Sequence, residues 1–198
     1  MKQVTTRKVE LNDGTGVVIR RMTADDLEAS YSFFRALPDE DRVYLRHDIY
    51  SRDLVMTRIR SMESGSVKRR VALVGDRIVA DAGLELERRD WKKHVAEMRL
   101  IVAREYQRKG LGLLMARELY SVAAEAKVEQ IITKMMGPQV AARSIFRELG
   151  FREETVLPDY VKDAKGKKQD LILMRCDLAA LWRELEDFVA TADWQRMR

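Results

Sequence analysis

Residues 97–114 read EMRLIVAREYQRKGLGLL, and this stretch decides the fold because it joins an apolar strand to a helix through a basic glycine turn. Leu100, Ile101 and Val102 form a short apolar, partly β-branched run. Residues 103–106 break that pattern, and Gly110 and Gly112 flank Leu111 where a helical period begins. The glycines are expected to leave the backbone bare at a sharp turn. Several N–H groups can then face one anion at the positive end of the next helix, which suits a phosphate or pyrophosphate. Arg108 and Lys109 add positive charge beside those amides, and Gln107 adds a neutral hydrogen-bonding group. Neither the G-x-G-x-x-G dinucleotide pattern nor the G-x-x-x-x-G-K-[ST] P-loop pattern is present.

The flanking sequence extends the strand–loop–helix theme. The strand covers residues 95–102, and residues 111–127 continue as a helix with Leu113, Leu114, Leu119, Val122 and Ala126 available for burial. A further strand over 128–135 stops at Gly137-Pro138, and a helix over 140–149 stops at Gly150, a typical C-terminal cap. Upstream, period-two runs at 67–74 and 78–87 surround Gly75-Asp76, and runs at 4–10 and 17–22 surround Asn12-Asp13-Gly14, so two hairpins are predicted. Between them, Thr23 caps a helix that carries Asp25 and Asp26 in its first turn and ends at Pro38. A second helical segment, broken or in two pieces, runs from Asp39 to Ser64-Gly65. Downstream, strands at 156–161 and 171–176 enclose a charged glycine turn at 165–169. Leu178, Leu181, Trp182, Leu185, Phe188 and Val189 then recur at helical spacing.

The predicted fold is α/β (α+β): a mixed, largely antiparallel sheet of about six to seven strands flanked by helices. One domain occupies residues 1–176, and an amphipathic helix at 177–198 packs on it or, as the alternative, on the partner in a homodimer. A chain of 198 residues with 46% hydrophobic and 35% charged side chains supports a single substantial core. The net charge of +5 is spread through interleaved acids, so no nucleic-acid partner is implied. The runs Lys68-Arg69-Arg70 and 165–168 are expected to be solvated strand ends and turns. The single Cys176 excludes an internal disulfide, and His47 and His94 without clustered cysteines give no metal site. No apolar run is long enough to span a membrane, and the first ten residues lack a signal-peptide core. A cytoplasmic location is therefore expected.

Q-R-K-G-L-G at 107–112 resembles the Q/R-x-x-G-x-G/A pyrophosphate loop of the GNAT superfamily of N-acetyltransferases. A second segment, AARSIFRELGF at 141–151, is similar to that family's A-x-x-x-Y-x-x-x-G-F ending, and the order of elements matches over roughly residues 17–176. The resemblance implies acetyl-CoA as cosubstrate, with no metal. It would be held by Leu100, Ile101, Val102, Gln107, Arg108, Lys109, Gly110, Leu111, Gly112, Leu113 and Phe146. It also implies direct acetyl transfer to a primary amine, either a small molecule or a protein lysine. Many relatives carry a tyrosine where this chain has Phe146, and a phenyl ring cannot protonate a leaving thiolate. Gln139 stands near the place of a frequent asparagine.

Glu97 is the candidate general base, because A-E-M-R-L-I-V looks like the corresponding strand of the lysine-acetylating branch. The alternative is a strand-edge glutamate paired with Arg99 or Lys93, and Glu85 and Glu87 are reserves. A backbone N–H near Val102 is expected to hold the thioester oxygen. A different class of function stays open: a non-catalytic acyl-CoA-binding regulatory domain of the same fold.

Overall fold

Eight strands form one sheet in the computed structural model, which describes residues 6–45, 52–87, 90–181 and 183. In chain order they are β1 (Arg7–Glu10), β2 (Gly16–Arg21), β3 (Val67–Val74), β4 (Arg77–Leu86), β5 (Val95–Val102), β6 (Gln130–Met136), β7 (Arg152–Lys162) and β8 (Lys168–Asp177). Across the sheet the order is β1-β2-β3-β4-β5-β6-β8-β7. The count exceeds the expected six to seven because the first hairpin joins the same sheet, Arg7 pairing with Ile19 and Glu10 with Gly16. Every pairing is antiparallel except β5 with β6, which a helical crossover joins in parallel as predicted.

Among the described residues up to Asp177, five α-helices flank the sheet: α1 (Leu27–Ala36), α2 (Asp39–Arg42), α3 (Arg52–Glu63), α4 (Leu111–Glu125) and α5 (Val140–Glu148). The broken helical segment predicted from Asp39 thus resolves into α2 and α3, while residues 46–51, with His47, lie outside the described residues. Leu111, Met115, Leu119 and Ala123 recur on one stripe of α4 and are fully buried against one sheet face, joined there by Phe146 and Leu149 around α5. Phe33, Phe34, Ile59 and Met62 of α1 and α3 cover the other face over Val71, Leu73 and Ile78. β4, in mid-sheet, is therefore buried on both faces.

That burial includes a charged pair. Arg69 of β3 and Asp81 of β4 are joined by an ion pair on the sheet face that α1 and α3 cover, only 6% and 3% exposed. Gly83 leaves room for it, since a Cβ there would lie 3.3 Å from the Arg69 guanidinium. The expectation that Lys68-Arg69-Arg70 is a solvated strand end fails at Arg69, whose charge is matched by a carboxylate the alternation of β4 turns inward. The expected C-terminal helix begins at Leu178, where Asp177 caps the N–H of Ala180 at 2.9 Å and Leu178 is buried. Residue 182 and residues 184–198 lie outside the described residues.

Candidate active site

The parallel pairing of β5 and β6 is short. Val95, Ala96 and Glu97 pair with Gln130, Ile131 and Ile132, and no pairing follows Glu97. Beyond that point the strands part and open a wedge. Ala103 N–H donates to Val79 O at 2.9 Å, and by the alternation of an antiparallel ladder Ile101 turns its main-chain groups toward β4. The N–H and C=O groups of Leu100 and Val102 face the opposite way, into the wedge. They form a short strand edge that no described strand pairs, the kind of edge that accepts an extended amide-bearing ligand. The Gln107 side chain donates to Val102 O at 3.0 Å and ties the loop to that edge.

A cavity of about 350 Å³ fills the wedge, lined by Leu100, Ile101 and Val102 on one side, Gln107, Arg108 and Gly112 at the loop, and α5 with Phe146 on the other. The loop is shaped by two left-handed residues, Arg108 at φ 58° and Gly110 at φ 86°. Gly110 is the N-cap of α4, and Leu114 N–H is the first of the helix to bond back, to Gly110 O at 3.1 Å. The N–H groups of Leu111, Gly112 and Leu113 therefore have no partner within the helix and stand at its positive end. This donor set fits a pyrophosphate. Gly112 differs from its expected role: it is helical, and a Cβ there would make only an ordinary 3.9 Å contact with Leu100. It does not turn the chain. Leu111 is fully buried in the core and Leu113 is exposed, so at these two positions only the main chain faces an anion.

Lys109 is directed away from the loop by the first hairpin. Its ammonium meets Asp13 at 2.8 Å, its carbonyl accepts from Asn12 N–H at 3.2 Å, and Asn12 also lies 3.4 Å from where a Gly110 Cβ would be. The side-chain contact with Lys109 and the Thr15 groups lower Asp13 to a pKa of about 2. Because that value lies below the ordinary carboxylate range, the pair is intact at neutral pH and is lost only as pH falls toward 2. Replacing Asp13 by Asn removes one negative charge beside the anion site. Coenzyme affinity is expected to rise about two- to fivefold at low salt, with the gain vanishing at high salt. Calorimetry at two ionic strengths reads this directly.

Glu97 stands at the apex of the wedge, 13% exposed. Its carboxylate accepts from Lys134 Nζ of β6 at 2.7 Å and lies 3.5 Å from Arg99 Nε. The Arg99 contact is the one named in the alternative reading of Glu97, and Lys134 adds a second cation that the sequence did not indicate. Glu85, the first reserve, sits directly across from Glu97 on β4, and Arg99 also donates to it at 3.2 Å. One guanidinium thus bridges two carboxylates that would otherwise repel across the strands. Glu87 is exposed just past the end of β4.

A second cavity of about 1060 Å³ adjoins the wedge. It lies between α2 and the β7–β8 hairpin, over Lys134, Met135 and Met136 of β6. Tyr44, Leu45 and Gln139 line both cavities. Gln139 Oε1 accepts from Met136 N–H at 2.8 Å, which fixes its side chain at that junction. Sequence reasoning did not single out Lys134, Asn12 or Tyr44, because each reaches the site through pairing or packing of distant segments.

A strand–loop–helix unit with main-chain N–H groups at the start of α4 thus lies beside a splayed sheet that opens onto a second cavity. Residues 27–151 match the profile of the Acetyltransferase (GNAT) family, and the chain belongs to that family. No curated protein matches the sequence significantly. Solved structures share the fold at low identity. The ribosomal-protein-S5-alanine acetyltransferase from Vibrio fischeri superposes with a TM-score of 0.73 at 13% identity, covering 87% of this chain and 96% of that one. The GNAT domain of S. lividans PAT gives 0.72 at 18%, again covering 87% and 96%. The ribosomal-protein-alanine N-acetyltransferase from Brucella melitensis gives 0.71 at 21%, covering 80% and 98%.

Among the described residues, no helix is long and apolar enough to cross a membrane, and no three His, Cys, Asp or Glu side chains gather as metal ligands would.

Proposed function

We propose that the protein transfers the acetyl group of acetyl-CoA to a primary amine by direct attack. The observation that carries this reading is the wedge: a strand edge at Leu100 and Val102 that no described strand pairs leads from the α4 N-terminus to a junction with a second cavity. The pyrophosphate would lie on the N–H groups of residues 108–113, and the pantetheine arm along Leu100–Val102 opposite Phe146. The thioester would then sit where the cavities meet, with the acceptor entering from the larger one. There the amine nitrogen forms a bond to the acetyl carbon while the carbon–sulfur bond breaks, and alignment of the two partners supplies much of the acceleration. A main-chain N–H near Val102 would hold the developing negative charge on the carbonyl oxygen.

Before attack the amine must lose a proton. Glu97 is the assigned base, reached directly or through water, beside Lys134 at the floor of the acceptor cavity. An incoming alkylammonium is chemically equivalent to the Lys134 ammonium and can replace it on the carboxylate. Incubation of the purified protein with acetyl-CoA and a panel of amines, read as CoA release and acetylated product, tests the reading. Coenzyme binding without turnover on any amine would favour the non-catalytic acyl-CoA sensor.

The acceptor cavity carries more positive than negative charge. Arg42, Lys134, Lys162 and Lys165 line it against Asp39 and Asp163, of which Asp39 pairs with Arg42. Asp163 accepts from the N–H groups of Lys165 and Lys167 and from Gln169, all at about 3 Å. This balance supports an acceptor amine with carboxylates nearby rather than a polyamine. A polyamine is expected to show a kcat/KM at least about tenfold below that of an amine in an acidic peptide, since like charges brought together raise the barrier to binding. Parallel steady-state assays of the two acceptors decide it.

A further inference from the structure

The site as described lacks a group to protonate the departing sulfur. Phe146 lines the wedge, 6% exposed and packed edge-on to Phe151 with ring centroids 5.0 Å apart, and it has no proton to give. Among the described residues that line the wedge, one has a hydroxyl: Tyr44, in the segment that follows α2. Thr155 and Tyr160 line only the acceptor cavity, and Tyr160 is 65% exposed. The two other wedge residues that could be considered are committed. Asp41 pairs with Arg104 at 3.4 Å, and Gln139 is a neutral amide held by Met136 N–H. Tyr44 also lines the acceptor cavity, so it stands at the junction where a thioester attacked from that side must lie.

We propose that Tyr44 is the general acid of the transfer, donating its phenolic proton to the coenzyme sulfur from the junction of the two cavities. The assignment rests on the coenzyme reading given above. As the carbon–sulfur bond breaks, its electron pair passes to sulfur, which takes the Tyr44 proton and leaves as the thiol. The phenolate regains a proton from water. The alkylammonium gives up two protons, one to Glu97 or solvent before attack and one to solvent as the amide forms, and with one taken by sulfur the transfer releases one proton overall. The chain would thus place the acid on the segment after α2 instead of on α5.

Tyr44→Phe keeps the ring and removes the proton. It is expected to lower kcat about 10²-fold, at the low end for a general acid because a thiolate leaves readily, with acetyl-CoA affinity unchanged. Phe146→Tyr, introduced into the Tyr44→Phe chain, is expected to restore most of the loss by supplying a phenol in the same wedge. A purely packing role for Tyr44 would not be rescued in this way. An independent readout needs no acceptor: ultraviolet titration of the thiol of bound CoA between about pH 6 and pH 10, around the ordinary thiol value of about 8.5. A phenol beside the sulfur stabilises the thiolate, so bound CoA should ionise at lower pH in the wild type than in Tyr44→Phe. Coincident titrations, or an unchanged kcat in Tyr44→Phe, would overturn the assignment. Wild-type protein that binds CoA but turns over no amine would sink the enzymatic reading alone, while the titration would still decide whether Tyr44 faces the sulfur.

Discussion

Gly110→Asp is expected to weaken acetyl-CoA binding about 10³-fold while the chain stays folded. Position 110 is the N-cap of α4 in a left-handed conformation that Asp and Asn tolerate better than other residues with a side chain. A carboxylate there would bond the free N–H groups of the first turn, as N-cap acids do, and so occupy the anion site from within. It would also repel a phosphate. Two unit charges about 4 Å apart near a protein surface interact by about 4 kcal/mol, which at about 1.4 kcal/mol per factor of ten gives the stated loss. Gly110→Asn separates the two contributions, since it keeps the shape and hydrogen bonding without the charge and should lose far less affinity. Titration calorimetry of both variants, with circular dichroism to establish folding, makes the comparison. A folded Gly110→Asp chain with native affinity would reduce the loop to a strand–helix connector.

Glu97→Gln is expected to lower kcat by about 10²- to 10⁴-fold, the usual range for a general base. The substitution keeps the size of the side chain and leaves an acceptor for Lys134 at the 2.7 Å position, but it removes the basic site. Activity should recover in part as pH rises, because more of the acceptor amine is then already neutral. Acetyl-CoA affinity should change little, since Glu97 lies at the wedge apex and not among the residues that line it. The pH series carries the decision. If the carboxylate served only to balance Lys134 and Arg99, the variant would melt at lower temperature and its kcat would fall without any pH-dependent recovery. Full turnover in Glu97→Gln would move the base to Glu85, Glu87 or solvent.

Much of this was legible in the chain because local rules governed it. Period-two runs, the Asn12-Asp13-Gly14 turn and the Gly150 cap marked strands, hairpin and helix end with no long-range information. The strand–loop–helix unit and its anion-binding main chain were equally local. What lay beyond reach depended on register. Lys134 meets Glu97 because β5 and β6 align Glu97 with Ile132, and Lys134 is the next residue on that face of β6. No pattern within either strand specifies that alignment. Arg69 looked solvated for the same reason: only the pairing of β3 with β4 reveals Asp81 and the space above Gly83. The brace from the first hairpin joins residues about a hundred positions apart, Asp13 to Lys109.

The order of the sheet carries a consequence for how the protein is made. β8 lies between β6 and β7, and the pairing of β7 within the sheet is with β8. During synthesis β7 leaves the ribosome first, as a strand of exposed Val156, Leu157 and Tyr160 with its ladder partner still unmade. Until residues 168–177 have emerged, β6 also has a bare edge, and the acceptor cavity lacks the hairpin that walls it. The anion loop and α4 are complete some fifty residues earlier in the chain. A nascent chain can therefore shape the loop and the start of α4 well before the hairpin wall of the larger cavity, so the two halves of the proposed site would be completed at different moments of translation.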